Sequence, residues 1–244
     1  MFKKLLASVG IGACKIDTQL ASNEAIPGGM LQGEIVIQGG NTAQQINGFS
    51  LALMTEVKTE RGDRTRHENF CLQRFRLADV INIEPGSRQQ LPFELPLGTD
   101  LPVTHLEGRA VSKVWLSTEA DIAHALDPSD KDFLIIDASP LILNCVSAMQ
   151  ELGYQLKKVD VEKGPLSIQG RRNQSGCYQE FEFQPEQWLS GIREVELSFL
   201  VDGSNTLLRV EIDRTFSGDN HRALCLSSQA SEAQAQEALS SILT

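Results

Sequence analysis

The sequence predicts a mainly β protein made of two tandem β-sandwich domains, with one short helix in the second domain and another helix at the C-terminus. Three observations predict this fold class. Short segments alternate polar and apolar residues and are separated by turn residues, which is typical of sandwich strands. One internal segment carries signals for both ends of a helix. With 244 residues, 41% of them hydrophobic, the chain can form two ordinary cores.

The first half shows the clearest alternation at 44–59. There one face carries Phe49, Leu51, Leu53, Thr55 and Val57. This pattern is typical of an antiparallel sheet that exposes one face to water. Residues 61–64 are predicted to form a hairpin tip. Pro92 cannot donate a ladder hydrogen bond, so its strand is predicted at an edge or a bulge. Further strands are predicted at 15–20, 31–37, 70–77, 90–95 and 109–118.

The internal helix is predicted to begin after Ser139, which is a good N-cap, and to end at Gly153. Pro140 suits the first helical position. One stripe of this helix is apolar and consists of Ile142, Cys145, Val146, Met149 and Leu152. Such a stripe usually packs on its own core, and docking of a partner protein is the alternative. Strands follow at 154–161, 177–183, 195–201 and 207–214, the last two joined by a turn at 202–205.

The C-terminal segment changes composition toward Ala, Gln, Glu and Ser. Ser231 and Gln234 resemble a capping box. Ala235, Ala238, Leu239, Ile242 and Leu243 have helical spacing. Docking on the body, docking on a partner and fraying all stay open for this helix. The predicted organisation is an N-terminal sandwich at 1–127, a linker at 128–139, a second sandwich at 140–226 and a helical tail at 227–244.

Composition predicts a soluble globular protein. The formal net charge is −10, so the body repels nucleic acid phosphates and anionic lipid. No apolar run approaches the ~18 residues that a membrane-spanning helix needs. The five cysteines have no C-x-x-C spacing and indicate reduced thiols in a cytosol.

Metal ligands are the first chemical candidates. His67 and Cys71 are four residues apart, but on a strand that spacing separates them by ~13 Å. No second His/Cys pair completes a zinc site with them. The other histidines, His105, His124 and His221, are expected to stand alone in surface or turn positions.

Acidic and basic clusters are the other candidates. The acids Asp127, Asp130, Asp132 and Asp137 lack the spacing of a calcium loop and indicate an exposed linker. Arg61, Arg64 and Arg66 are diluted by neighbouring acids and indicate a solvated hairpin tip. The chain contains no G-x-S-x-G, P-loop or G-x-G-x-x-G motif. We therefore expect no catalytic, cofactor-binding or metal-binding residues, and no cofactor.

The N-terminus supports two interpretations. Lys3 and Lys4, the apolar run that follows and residues 11–14, which end in Cys14, are typical of a lipoprotein export signal. Polar and apolar residues alternate directly after Cys14, however, as in a first strand without a flexible spacer. The second interpretation predicts a cytoplasmic protein.

Motifs along most of the chain match one family pattern. They lie at 2–20, 27–29, 31–37, 114–123, 125–128, 148–154 and 178–183. In these segments the chain resembles the bacterial sporulation-control family of the stage-zero M type. That resemblance implies two tandem arrestin-like β-sandwiches in a soluble intracellular protein. All of the shared motifs are structural, so they imply no chemical mechanism.

The function expected from the resemblance is that of a cytoplasmic, non-enzymatic regulator or scaffold. It would act through contacts with unknown protein partners or with further copies of itself, and without nucleic acid or an integral membrane segment. Two alternatives stay open. One is an envelope lipoprotein anchored at Cys14, and the other is a metal-dependent hydrolase that uses the aspartates at 127–137.

Overall fold

The computed structural model describes residues 14–61, 64–122, 129–187, 191–215 and 220–243. The chain divides into two compact units, each assembled from separate stretches. Unit 1 consists of Met1–Thr55, Phe70–Gly98 and Val114–Ile135. Unit 2 consists of Glu56–Asn69, Thr99–Lys113 and Ile136–Thr244. The predicted mainly β fold, with one helix in the second half and one at the C-terminus, is confirmed, and the tandem arrestin-like description is consistent with it. The predicted domain bounds at 127, 139 and 226 stay predictions.

The first sheet of unit 1 has three antiparallel strands in the order β1, β2, β6. Their bounds are β1 Lys15–Leu20, β2 Met30–Gln38 and β6 Arg88–Pro96. Pro92 lies on β6, which within the described residues pairs with β2 alone, as an edge strand would. Gly33 is required on β2, since a Cβ there would lie 2.6 Å from the Gln19 carbonyl oxygen and 2.7 Å from Phe93.

The second sheet of unit 1 is built around β3, Gln44–Arg61. On one side β3 pairs with β9, which in turn pairs with β10, and it also pairs with β4 and β5. The predicted apolar face of β3 is buried, because Phe49 and the alternate residues up to Val57 are at most 1% exposed. The segment predicted as a linker contains β10. The remaining bounds are β4 Arg64–Ala78, β5 Ile81–Ile83, β9 Val114–Ile122 and β10 Ser129–Leu134.

Unit 2 contains an antiparallel sheet in the order β11, β14, β15, β16, β17, and the end of β3 joins β11 in parallel. The predicted hairpin between β15 and β16 is confirmed, with Gly203 at φ +64° in its two-residue turn. The bounds are β11 Tyr154–Lys163, β14 Cys177–Pro185, β15 Ile192–Asp202, β16 Asn205–Arg214 and β17 Asn220–Ser227. Two further hairpins are β7 His105–Leu106 with β8 Arg109–Ala110, and β12 Ser167–Ile168 with β13 Arg171–Arg172.

Two helices cover the apolar face of the unit 2 sheet, α1 at Pro140–Glu151 and α2 at Glu232–Leu243. As predicted, Ser139 caps α1, accepting a hydrogen bond from the Ile142 backbone N–H at 3.3 Å. The predicted capping box of α2 forms, because Gln234 accepts from the Ser231 N–H at 2.9 Å and its own N–H donates to Ser231 Oγ. Neither described helix is long and apolar enough to cross a membrane.

The apolar stripes of both helices belong to the core of unit 2. The core contains Leu141, Cys145, Val146, Met149, Ala235 and Leu239 from the helices, and Phe181, Phe183, Val195, Leu197, Leu208 and Val210 from the sheet. Asn144 of α1 donates a hydrogen bond to the Ala230 carbonyl oxygen just before α2 at 2.9 Å. Of the alternatives left open for the C-terminal helix, the structure shows docking on the body of its own chain.

Several sequence predictions concern residues outside the described ranges. These are the export signal before Cys14, the hairpin tip at 62–63, His124 and Asp127. The side chains of Arg61, Arg64 and Asp130 also lie outside the described part of the chain.

Candidate functional site

The face of the unit 2 sheet opposite the helices carries a dense set of ionisable side chains. Successive strand residues point to opposite faces, and Val195 and Leu197 point into the core. Glu194, Glu196 and Ser198 of β15 therefore point away from it. We call this the charged face, and its ionisable members are Lys58, Lys158, Asp160, Glu162, Glu180, Glu182, Glu194, Glu196, Arg209 and Glu211.

The strand register places like charges beside one another on this face. Glu196 lies directly opposite Glu182 on one side and Glu211 on the other. Directly opposed like charges destabilise a sheet. Glu180, Glu196 and Glu211 form a tight group in which one carboxylate oxygen from each residue lies within 4.8 Å of the others. We call these three residues the glutamate cluster.

Burial and mutual repulsion weaken the acidity of this cluster. Burial and, after it, the nearby negative charges of Glu180 and Glu211 together raise the pKa of Glu196 to about 8. Burial also raises the pKa of Glu180 to about 7, although the Arg209 guanidinium partly opposes this. At neutral pH the two carboxyl groups therefore hold protons that an exposed glutamate would have lost.

Arg209 is the main counter-charge of the cluster. Its Nη2 donates to Glu180 Oε1 at 2.7 Å and lies 3.9 Å from Glu211 Oε2. Its guanidinium carbon also lies 4.8 Å from the centre of the Tyr178 ring, which is a cation–π contact. On the outer side, His221 Nδ1 lies 3.3 Å from Glu211 Oε2.

A second ion-pair group surrounds Lys58 on the same face. Lys58 Nζ lies 3.2 Å from both Asp160 Oδ2 and Glu162 Oε1, and its side chain is only 15% exposed. Burial lowers the pKa of Lys58, but its bonds to Glu162 and Asp160 outweigh burial and raise it. Burial favours protonation of Asp160, but hydrogen bonds from Lys158 and Lys58 outweigh it, so the pKa of Asp160 is lowered. This group is charge-compensated, unlike the glutamate cluster.

The two groups have different chemical capacities. The Lys58 group is an ion-pair network in which the lysines offset the charge of the carboxylates around them. The glutamate cluster presents three carboxylates with one arginine. Such a set can bind protons, or a cation that prefers oxygen ligands.

The residues singled out in the sequence do not form a site together. His67 and Cys71 lie on strand β4, as their sequence context predicted. Asp132 lies on β10, whereas Asp137 follows that strand and forms a backbone bridge with His105. His221 was expected to stand alone, and this prediction is wrong, because it lies beside Glu211.

Sequence reasoning missed the glutamate cluster. Its members come from three strands and are separated by 15 or more residues in the chain. The available signal was the alternation of acids with core residues, at 180 and 182 and at 194 and 196. Such alternation is usually an exposed polar face, and only the register shows that the acids converge.

Comparison with known proteins identifies the family. A family model described as SpoOM protein matches residues 2–216. The sporulation-control protein spo0M of Bacillus subtilis (strain 168) is 34% identical over 221 residues, which are 89% of this chain and 82% of that protein. The crystal structure of Spo0M from Bacillus subtilis matches with a TM-score of 0.81 and 30% identity, over 96% of this chain and 98% of that one. The resemblance seen in the sequence is thus confirmed, and the chain belongs to the Spo0M family.

Proposed function

We propose that this protein is a non-enzymatic regulator of sporulation, or of a related control process, that acts in the cytoplasm by binding other proteins. The observation that carries this proposal is the similarity to a sporulation-control protein along 89% of the chain. The five cysteines support a reducing compartment, because all of them are free thiols.

Strand β17 is the surface we propose for partner binding. Within the described residues it hydrogen-bonds to β16 alone, so its outer edge presents backbone groups that a partner strand can pair with. Ala223 and Cys225 are exposed on it, whereas Leu224 and Leu226 pack toward the core of unit 2. A strand whose outer edge is unpaired and whose apolar side chains pack toward the core is suited to strand addition.

The proposal predicts that charge on β17 disrupts partner binding. The full-length protein is cross-linked in native lysate and captured, with and without the double substitution Ala223→Lys and Cys225→Lys. We expect the wild type to capture a stoichiometric amount of partner. The double variant should capture at least about tenfold less, because lysines on an edge strand obstruct pairing with another strand.

The matched control is the double substitution Asn41→Lys and Ala43→Lys, which adds lysines at two exposed positions of unit 1. This control should capture as much partner as the wild type does. Self-association that depends on β17 would identify the partner as a second copy. Capture of no partner and no self-association by the wild type would contradict the proposed function.

A further inference from the structure

We infer that the glutamate cluster is a binding site for a hard divalent cation of the size of Ca²⁺. The ligands would be carboxylate oxygens of Glu180, Glu196 and Glu211, which come from the adjacent strands β14, β15 and β16. The inference rests on the spacing of these oxygens, on the charge they leave unbalanced and on a buried hydroxyl beside them.

The three oxygens are close enough to one another to share one ion of the size of Ca²⁺. Ca²⁺ binds oxygen ligands at about 2.4 Å, so two ligands on opposite sides of the ion are up to roughly 4.8 Å apart. One oxygen from each of the three glutamates lies within 4.8 Å of the others. The three oxygens can therefore reach one such ion together. Mg²⁺ keeps several of its water ligands and is usually bound through only one or two carboxylates, so a set of three carboxylates suits it less well.

The charge of the cluster also matches a divalent ion. When all three carboxylates are ionised, they and the Arg209 guanidinium sum to −2, and Arg209 is already bonded to Glu180 at 2.7 Å. The Glu196 side chain has no hydrogen bond or ion pair among the described residues, and it faces Glu182 and Glu211 across the sheet. A divalent cation would supply the counter-charge that the surrounding strands do not.

Two buried polar atoms beside the cluster, the Nε of Arg209 and the Oγ of Ser198, have no hydrogen-bond partner among the described residues. The Ser198 side chain is on the same face as Glu196, two residues away on β15, and lies opposite Arg209 in the register. It is only 1% exposed, yet its Oγ has no hydrogen-bond partner within the described parts of the chain. A buried hydroxyl without a partner is costly, and an ion or a water molecule held by that ion would satisfy it.

The test measures the thermal stability and cation affinity of the full-length protein after removal of metals by chelation. CaCl₂ at about a hundredfold excess over its Kd should raise the Tm by roughly 5 °C, because the ion binds only the folded chain. Calorimetric titration with CaCl₂ should give one site. MgCl₂ should bind about tenfold or more weakly, owing to its stricter geometry. Equal responses to the two ions would overturn the assignment to an ion of the size of Ca²⁺.

Two variants and one control locate the site. Glu196→Gln and Glu211→Gln should each lose the Tm response to CaCl₂, whereas Glu237→Gln, at an exposed position on α2, should keep it. Glu196→Gln also removes a repulsive charge, so it should fold at least as well as the wild type without the ion. Absence of a Ca²⁺ response in the wild type would overturn the inference, and so would equal responses in all three variants.

Discussion

At the residue scale, Glu196 occupies the least favourable electrostatic position on the charged face. Its neighbours across the sheet on both sides are glutamates, and Arg209 bonds to Glu180 and approaches Glu211 instead. Burial and this repulsion raise its pKa to about 8. The folded protein therefore binds a proton at Glu196 more tightly than the unfolded chain does.

The raised pKa of Glu196 predicts a decline in stability at alkaline pH. Since the folded-state pKa exceeds the unfolded value, the stabilising effect of the proton is complete below about pH 4.5 and is lost as pH rises toward 8. Glu196→Gln removes this group from the titration. Between about pH 5 and 8.5, the wild type should lose on the order of 2 kcal/mol more unfolding free energy than Glu196→Gln in a buffer free of divalent ions, because solvent screens this half-buried group and reduces the full linkage effect.

Urea denaturation at a series of pH values measures this difference. Glu237→Gln is the control, because Glu237 is exposed on α2, and it should follow the pH profile of the wild type. Parallel profiles for wild type and Glu196→Gln would show that Glu196 titrates like an exposed glutamate.

At the element scale, helix α2 is part of the core of unit 2. Ala235 and Leu239 are fully buried, and the segment before the helix is held by the hydrogen bond from Asn144 to Ala230. Helices of this length are marginal in isolation, so packing against α1 and the sheet supplies most of the stability of α2.

Truncation of a buried side chain on α2 tests this packing. Leu239→Ala should lower the unfolding free energy of the protein by roughly 3 kcal/mol, because it removes buried methyl groups and leaves a cavity. Glu237→Ala changes an exposed position of the same helix and should alter stability by less than about 0.5 kcal/mol. A loss of similar size in both variants, or in neither, would mean that α2 does not dock as the structure shows.

Elements with local signals could be predicted from the sequence, and the site could not. Ser139, Pro140 and Gly153 mark the ends of α1 within a few residues of the helix itself, and the β15–β16 hairpin is encoded by its own turn. The glutamate cluster depends on strand register, which is set by distant pairings such as Glu196 with Glu211. A pattern of alternating acids and apolar residues does not show which acids become neighbours.

At the scale of the whole molecule, the position of Cys14 bears on the lipoprotein alternative. Cys14 is 4% exposed, and its backbone N–H donates to Gln44 Oε1 at 2.6 Å. A lipoprotein cysteine carries its lipid on the sulfur through a thioether bond, and this lipid has to reach a membrane, so Cys14 would have to leave its position.

We therefore predict that Cys14 is not acylated in the native protein. Intact-mass measurement of protein isolated from its own host should give a chain that retains the residues before Cys14 and carries no lipid. The same measurement on a Cys14→Ser variant is the control and should differ only by the mass of the sulfur-to-oxygen exchange. A mass that corresponds to a chain starting at a lipidated Cys14 would contradict the prediction.

The assembly of unit 2 from separate stretches limits how the gene can be recombined. Leu106, from Thr99–Lys113, is buried in the core that α1 and α2 complete, and Lys58, from Glu56–Asn69, pairs with Asp160. Recombination between two related genes near their middle would combine these two side chains with a sheet and helices from another protein. The core packing and ion pairs of that protein would differ from those of this one. The two halves of the chain should therefore be inherited together, and chimaeras of distant relatives that exchange only one half should fold poorly.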